Sequence, residues 1–335
     1  MAHETKAVQK PKNWRRSVAA ACAAPDSHIA DTAAGPIEYA VTGRGGPAVL
    51  VIHGCPGGYD QGLIAAKLAR NEEFTFISPS RPGYFRTPLE VGLTPEGQAD
   101  AYAALLDSLG ISTAAIVGIS GGGPSALQFA LRHPERCWGV VMVCAIARAL
   151  TEKEIAKCRS FFRRMGCTLD LGWQLVRAAG ALVGREIKRL VKRIFTKIDG
   201  DGGADRHETL DMIFSLARSF GMISLRKVGL HNDIEQLTSM PEYDLGKITV
   251  PVLVMHGSAD ELVPFSHARL IAKKVSNAVL VKVKGGGHLF FATHKERVVP
   301  VVTQFLERSA RVVAGPSAQR QNILGPIREP DGPLR

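Results

Sequence analysis

Gly118-Ile119-Ser120-Gly121-Gly122 fits G-x-S-x-G and stands between an apolar run, Ala114 to Val117, and a helix-like segment. A serine at such a strand-to-helix turn takes strained backbone angles, so that its hydroxyl projects clear of a sheet. So sharp a turn needs residues without bulk two before and two after the serine, and Gly118 and Gly122 stand there. The stretch reads as a nucleophile elbow. Pro124 suits the first turn of the helix that follows, and His133-Pro134 ends it after Ala126, Leu127, Phe129 and Ala130. The amino end of that helix would aim positive partial charge at a developing anion. In a chain of 335 residues with 34 glycines the pentapeptide alone is a moderate signal, so its surroundings decide its weight.

Two later residues supply an acid and a base. Asp260 comes just after the apolar run Val252 to Met255, and His288 sits in a glycine-rich loop after Val279 to Val283. Between them there is room for one helix, about Phe265 to Val275, and one strand, which is what a right-handed crossover needs to bring both loops to the same sheet edge. Upstream, His53-Gly54-Cys55-Pro56-Gly57-Gly58 follows the run Ala48 to Ile52, and Arg81-Pro82-Gly83-Tyr84 comes after a further strand-like run. With these motifs and the order serine, acid, histidine, the chain resembles the α/β-hydrolase superfamily, in the branch with an HGxPGG loop, over about residues 36 to 306. The resemblance implies a triad of Ser120, His288 and Asp260, and an oxyanion hole made by the backbone N–H groups of Cys55 and Gly121. Glu261, next to Asp260, is the alternative acid, and aspartate is the commoner choice at this point of the superfamily. Pro56 stiffens the loop, and whether its peptide bond is cis stays open.

The implied fold is α/β, a mostly parallel central sheet flanked by helices with an inserted helical cap. Apolar strands are expected at Ile37 to Val41, Ala48 to Ile52, Phe74 to Ile77, Ala114 to Val117, Val140 to Cys144, Val252 to Met255 and Val279 to Val283. The expected organisation is a basic disordered tail over 1–26, a hydrolase core over 27–145, a helical cap over 146–245, the rest of the core over 246–312, and a second disordered tail over 313–335. Within the cap interval, Arg185 to Lys197 has Ile187, Leu190, Val191, Ile194 and Phe195 at helical spacing on one face and basic residues on the other. That ridge reads as a solvated surface. Attraction of acidic substrates or of an anionic membrane surface is the sharper reading, given a net charge of +11. Asp199-Gly200-Asp201-Gly202-Gly203 starts like a calcium loop and then fails: Gly203 stands where a third oxygen ligand belongs.

Composition sets the remaining bounds. Apolar residues make up 45% of the chain, enough for one large α/β domain with an insertion, and no run approaches the length of a membrane span. The six cysteines lack metal-ligand or disulfide spacing, so neither a zinc site nor a disulfide framework is expected. The simpler localisation is cytoplasmic; secretion is the alternative raised by Arg15 to Ala24. Cys55 is expected to lend its N–H rather than its thiol, and His53 and His256, at strand ends before glycine, are read as structural.

The expected activity is that of a serine hydrolase, carboxylesterase-like, cleaving an ester or related carbonyl bond of a small and optionally anionic molecule through an acyl-enzyme. The chemistry calls for no metal and no organic cofactor, and no nucleic-acid motif is present. Acyl transfer or C–C bond hydrolysis by the same residues is the alternative, and a non-catalytic ligand-binding protein of this fold is the alternative of another class. Related enzymes with an aspartate nucleophile are disfavoured by Ser120. Substrate and oligomeric state are not legible.

Overall fold

The computed structural model describes residues 27–69, 73–161, 215–216, 219 and 223–314. Both expected tails, apart from residues 313–314, lie outside the described residues, as do the basic stretch 185–197 and the acidic turn 199–203. The elements in chain order are β1 (Ser27–Thr32), β2 (Gly35–Thr42), β3 (Ala48–Ile52), α1 (Tyr59–Ala69), β4 (Thr75–Pro79), α2 (Pro95–Ser108), β5 (Ala114–Ile119), α3 (Gly123–Arg132), β6 (Cys137–Val143), α4 (Ile223–Ser239), β7 (Val252–Gly257), α5 (Ser266–Lys274), β8 (Ala278–Val283), α6 (Phe290–Thr293) and α7 (Lys295–Ala314). Residues 152–161 are also helical.

The eight strands form one sheet in the order β1-β2-β4-β3-β5-β6-β7-β8. Pairings of β2 with β1 and with β4 are antiparallel, and every other pairing is parallel. Parallel strands covered on both faces must be apolar throughout, and β3, β6 and β7 are buried at every position. Alternation then splits each strand between two cores. Leu50, Ile116, Met142 and Val254 join α2, α3 and α5 on one face, through Tyr102, Leu105, Phe129 and Ile271. Val51, Val117, Val141 and Leu253 face α1, α6 and α7 on the other, through Ala66, Phe290, Val301 and Phe305.

The expected strands are all present, with bounds shifted by up to a few residues. β1 was not expected. Its sequence, SHIADT, has no apolar run because it is a sheet-edge strand, with no fully buried position. α2 starts where Thr94 accepts a hydrogen bond from Gly97 N at 3.2 Å with Pro95 in the first turn, a cap and a pre-set φ acting together. The six parallel strands from β3 to β8 end at one edge of the sheet, and the loops that follow them carry the residues discussed next.

Candidate active site

Ser120 follows β5 directly and has φ +50°, a left-handed conformation that costs a non-glycine residue about 1–2 kcal/mol. Its surroundings hold it there. A side chain at Gly118 would place Cβ 2.6 Å from Ala126 Cβ, and one at Gly122 would meet His53 O at 2.6 Å, so the turn closes only around glycine at both positions. Ile146 N, from the loop after β6, donates to Ser120 O at 3.0 Å and ties the elbow to the neighbouring strand.

The loops after β7 and β8 bring Asp260 and His288 to this serine. Ser120 Oγ lies 3.0 Å from His288 Nε2, and His288 Nδ1 lies 2.8 Å from Asp260 Oδ2. The carboxylate fixes the tautomer, because an acceptor at Nδ1 requires the proton there and leaves the Nε2 lone pair for the hydroxyl. Asp260 Oδ1 accepts from Leu262 N at 2.9 Å and Val263 N at 3.0 Å. Burial alone would push this carboxyl up, yet the charge of His288 and hydrogen bonds from His256 and His288 outweigh it and hold Asp260 well below the usual carboxylate range. Asp260 therefore stays ionised.

His256 is fully buried at the end of β7. Its Nε2 donates to Val263 O at 2.8 Å and sits 3.2 Å from Asp260 Oδ2, so it braces the acid from behind. Sequence reading placed it as structural and missed this contact; the i, i+4 spacing of His256 and Asp260 across a strand end was the available signal. His53 is structural in another sense. Arg81 N donates to its Nε2 at 2.9 Å, so its proton is on Nδ1 and goes to Gly54 O at 2.7 Å. Burial, and then the charge of Arg81, keep it neutral with a pKa well below the ordinary value.

The loop after β3 passes over the elbow, and its Cys55–Pro56 peptide is cis. A Cβ at Gly121 would come 2.9 Å from Cys55 Cβ and 3.5 Å from Cys55 N, so the two residues of the expected oxyanion hole lie against each other. The Cys55 thiol is held well above the ordinary thiol range, first by burial and then by the Asp233 carboxylate, so it carries no thiolate at neutral pH.

Asp233 belongs to a network that sequence reading did not find. Arg81 donates from Nη1 to Asp233 Oδ2 at 2.8 Å and from Nη2 to Oδ1 at 2.5 Å, Tyr84 Oη donates to Oδ2 at 2.5 Å, and Arg81 Nε reaches Gln98 Oε1 at 3.3 Å. Arg81 and Asp233 side chains are each 3% exposed. The pair joins α4 to the segment after β4, and backbone bonds from Phe85 N to Leu225 O and from Gly229 N to Gly83 O, at 3.1 and 2.9 Å, run beside it.

Above Ser120 a cavity open to solvent is walled mainly by apolar side chains, among them Ile146, Leu150, Ile155, Ile234, Leu237 and Val263. Gln61 and Thr238 contribute polar groups, and the exposed Arg159 is the one Lys, Arg, Asp or Glu among the described lining residues. Cys144, buried at φ +41°, closes the floor. Its sulfur, with Asp260 and His288, makes the one set of three metal-capable groups within 4.8 Å among the described residues. The donor set argues for a hydrogen-bonded pair rather than a metal centre, because His288 and Asp260 are turned on each other at 2.8 Å.

Comparison with known proteins fits this geometry. Residues 49–301 match the model of the alpha/beta hydrolase family. The chain belongs to that family. It is 30% identical over 268 residues to the uncharacterized hydrolase YcgS of Bacillus subtilis, covering 77% of this chain and 89% of that protein. It is 29% identical over 214 residues to a poly(3-hydroxyalkanoate) depolymerase of Ectopseudomonas oleovorans, covering 63% of this chain and 67% of that protein. Among solved structures, an alpha/beta hydrolase fold protein from Nakamurella multipartita superposes with a TM-score of 0.70 at 29% identity, covering 86% of this chain and 100% of that one. The activity is therefore that of a hydrolase, and no helix among the described residues is long and apolar enough to cross a membrane.

Proposed function

We propose that this hydrolase is a serine esterase that cleaves small-molecule esters with an apolar acyl group, through Ser120 as nucleophile, His288 as general base and acid, and Asp260 as the group that orients and charges the imidazole. The observation that carries the reading is the unbroken line of hydrogen bonds from Ser120 Oγ to His288 Nε2 at 3.0 Å and from Nδ1 to Asp260 at 2.8 Å, opening on an apolar cavity. His288 takes the hydroxyl proton as Ser120 attacks the ester carbonyl. The N–H groups of Cys55 and Gly121 receive the oxyanion, and each donor of this kind is typically worth about 3–4 kcal/mol. His288 then passes its proton to the departing alcohol, and water activated by the same imidazole releases the acid. Residues 146–245, with residues 152–161 and α4 over the cavity, act as the cap that selects substrate. A related depolymerase named for polymeric hydroxyalkanoates is in keeping with ester chemistry on an aliphatic acyl chain.

The test is labelling with a fluorophosphonate together with turnover of p-nitrophenyl esters by wild type, Ser120→Ala and His288→Ala. Labelling and turnover in the wild type, both lost in the variants, with kcat falling by up to about a million-fold, is the expected result. A folded wild type that neither labels nor turns over any ester refutes the assignment.

A further inference from the structure

A second cavity lies beneath the active site. It lies between the sheet and helices α1 and α7, is partly open to solvent, and has Ala65, Val117, Val141 and Val302 among its walls. Every described residue that lines it is apolar. Two residues, Ile119 and Phe291, line both this cavity and the one above Ser120. Neither is remote from the chemistry: Ile119 immediately precedes Ser120, and Phe291 follows His288 by three residues on α6.

Protein interiors are normally close-packed, so apolar side chains that leave a gap against the sheet, among them the buried Val117, Val141 and Leu306, invite an apolar occupant. Water is a poor occupant, because it needs polar partners and the described walls offer none. A carboxylate, a sugar or a phosphate is excluded by the cost of desolvation without hydrogen bonds. Hydrocarbon is what such walls accept.

We infer that the lower cavity is the far end of the acyl site, reached between Ile119 and Phe291, and that the enzyme prefers esters of medium- to long-chain fatty acyl groups. The inference rests on the esterase reading above. An acyl group bonded to Ser120 starts beside Ile119, one side of the passage, so a chain directed downward enters without crossing the cap. Phe291 and the cavity walls thereby determine chain length, while the cap faces the alcohol part of the ester. Each methylene that leaves water for these walls should raise kcat/KM by about fourfold until the chamber is full.

The experiment is a chain-length series of p-nitrophenyl esters from acetate to laurate on wild type, Val302→Phe and Ala65→Leu, which fill the chamber from α7 and from α1. Thermal midpoints identify folded variants, and two opposite walls supply the test if one substitution is not tolerated. The expected result is a wild-type optimum at eight carbons or longer, and a decanoate-to-butyrate ratio of kcat/KM that falls at least about tenfold in the variants. A ratio rather than an activity is read because general damage to the fold lowers both esters together. In parallel, displacement of the fluorescent fatty acid cis-parinaric acid by decanoate reports occupancy without turnover. A wild-type optimum at acetate, or an unchanged ratio in folded variants, overturns the inference while leaving the esterase assignment standing. Decanoate binding that the variants weaken, without labelling or turnover in the wild type, would retain the cavity's ligand and reject the esterase reading instead.

Discussion

Asp233→Asn is expected to have a large consequence although Asp233 is not a reacting group. The change is isosteric, so it removes charge without opening a void, and it leaves the Arg81 guanidinium in a site where both side chains were 3% exposed. Removing one partner of a buried pair typically costs about 3–5 kcal/mol, because the remaining ion is neither hydrated nor neutralised. Tyr84 adds to the loss, since its hydroxyl also donates to the carboxylate. Set against a typical stability of about 5–15 kcal/mol, the variant should lie near the edge of folding at growth temperature. At about 2–4 °C per kcal/mol for a domain of this size, the thermal midpoint should drop by roughly 10 °C or more. Urea denaturation by circular dichroism supplies the free energy, and the paired replacement Arg81→Met with Asp233→Leu supplies the control. If burial of an unpaired charge is the mechanism, the double variant recovers most of the loss. A loss below about 1 kcal/mol in Asp233→Asn, or a double variant less stable than the single, refutes the reasoning.

Two further outcomes follow from the floor of the site. Gly122→Ala puts a methyl carbon 2.6 Å from His53 O and 2.7 Å from Ile52 O, both backbone atoms that have no room to yield, so the variant should lose stability by about 2 kcal/mol or more and activity with it, as read by melting and ester turnover. His267 is fully buried with its Nδ1 accepting from Ala147 N at 3.1 Å, and burial, then the charge of Arg148, lowers its pKa from 6.5 to about 4. Because the unfolded chain binds this proton below its ordinary pKa and the folded chain refuses it until about 4, stability falls as pH drops from about 6.5 to about 4 and this contribution levels off below. The expected loss is roughly 3 kcal/mol, and His267→Asn, which keeps an acceptor for Ala147 N, should flatten the acid slope by up to one proton in urea titrations between those pH values. An unchanged slope would show that other groups carry the acid sensitivity.

Much of the fold was legible because a parallel sheet buried on both faces leaves no choice of residue. Ala48 to Ile52 and Val252 to Met255 are apolar at every position for that reason, and their spacing by helical segments gives the winding. β1 was invisible because an exposed edge strand needs no such run. The grouping of Ser120, Asp260, His288, Cys55 and Gly121 at one end of the sheet was legible because each follows a strand whose direction the winding determines. What stayed hidden depends on contacts across long separations. Asp233 lies in a helix of mixed polar and apolar residues with little amphipathic order, where an acid reads as a solvated side chain; its partner is 152 residues away. The contact between His256 and Asp260 is local, but its direction depends on the turn after β7, which puts Leu262 N, Val263 N and His256 around one carboxylate. The second cavity could not be read at all, since a void is a property of packing and not of any residue.

Two strained residues at the ends of adjacent strands indicate how the site is held. Ser120 at φ +50° and Cys144 at φ +41° each sit in a conformation that unsupported non-glycine residues avoid, at about 1–2 kcal/mol apiece. Each is fastened by its neighbour in the sheet: Ile146 N donates to Ser120 O and Cys144 N donates to Met255 O, both at 3.0 Å. The strands that carry these bonds, β5, β6 and β7, are all interior strands of the sheet with both faces covered, where local opening costs nearly as much as global unfolding. The reacting groups are thereby placed by the most rigid part of the molecule, and changes that relax the floor should register as stability losses before they register as altered specificity. Under the proposed reading, selectivity comes from the surfaces that meet this floor without building it: residues 152–161 and α4 above Ser120, and the cavity behind Ile119 and Phe291 below.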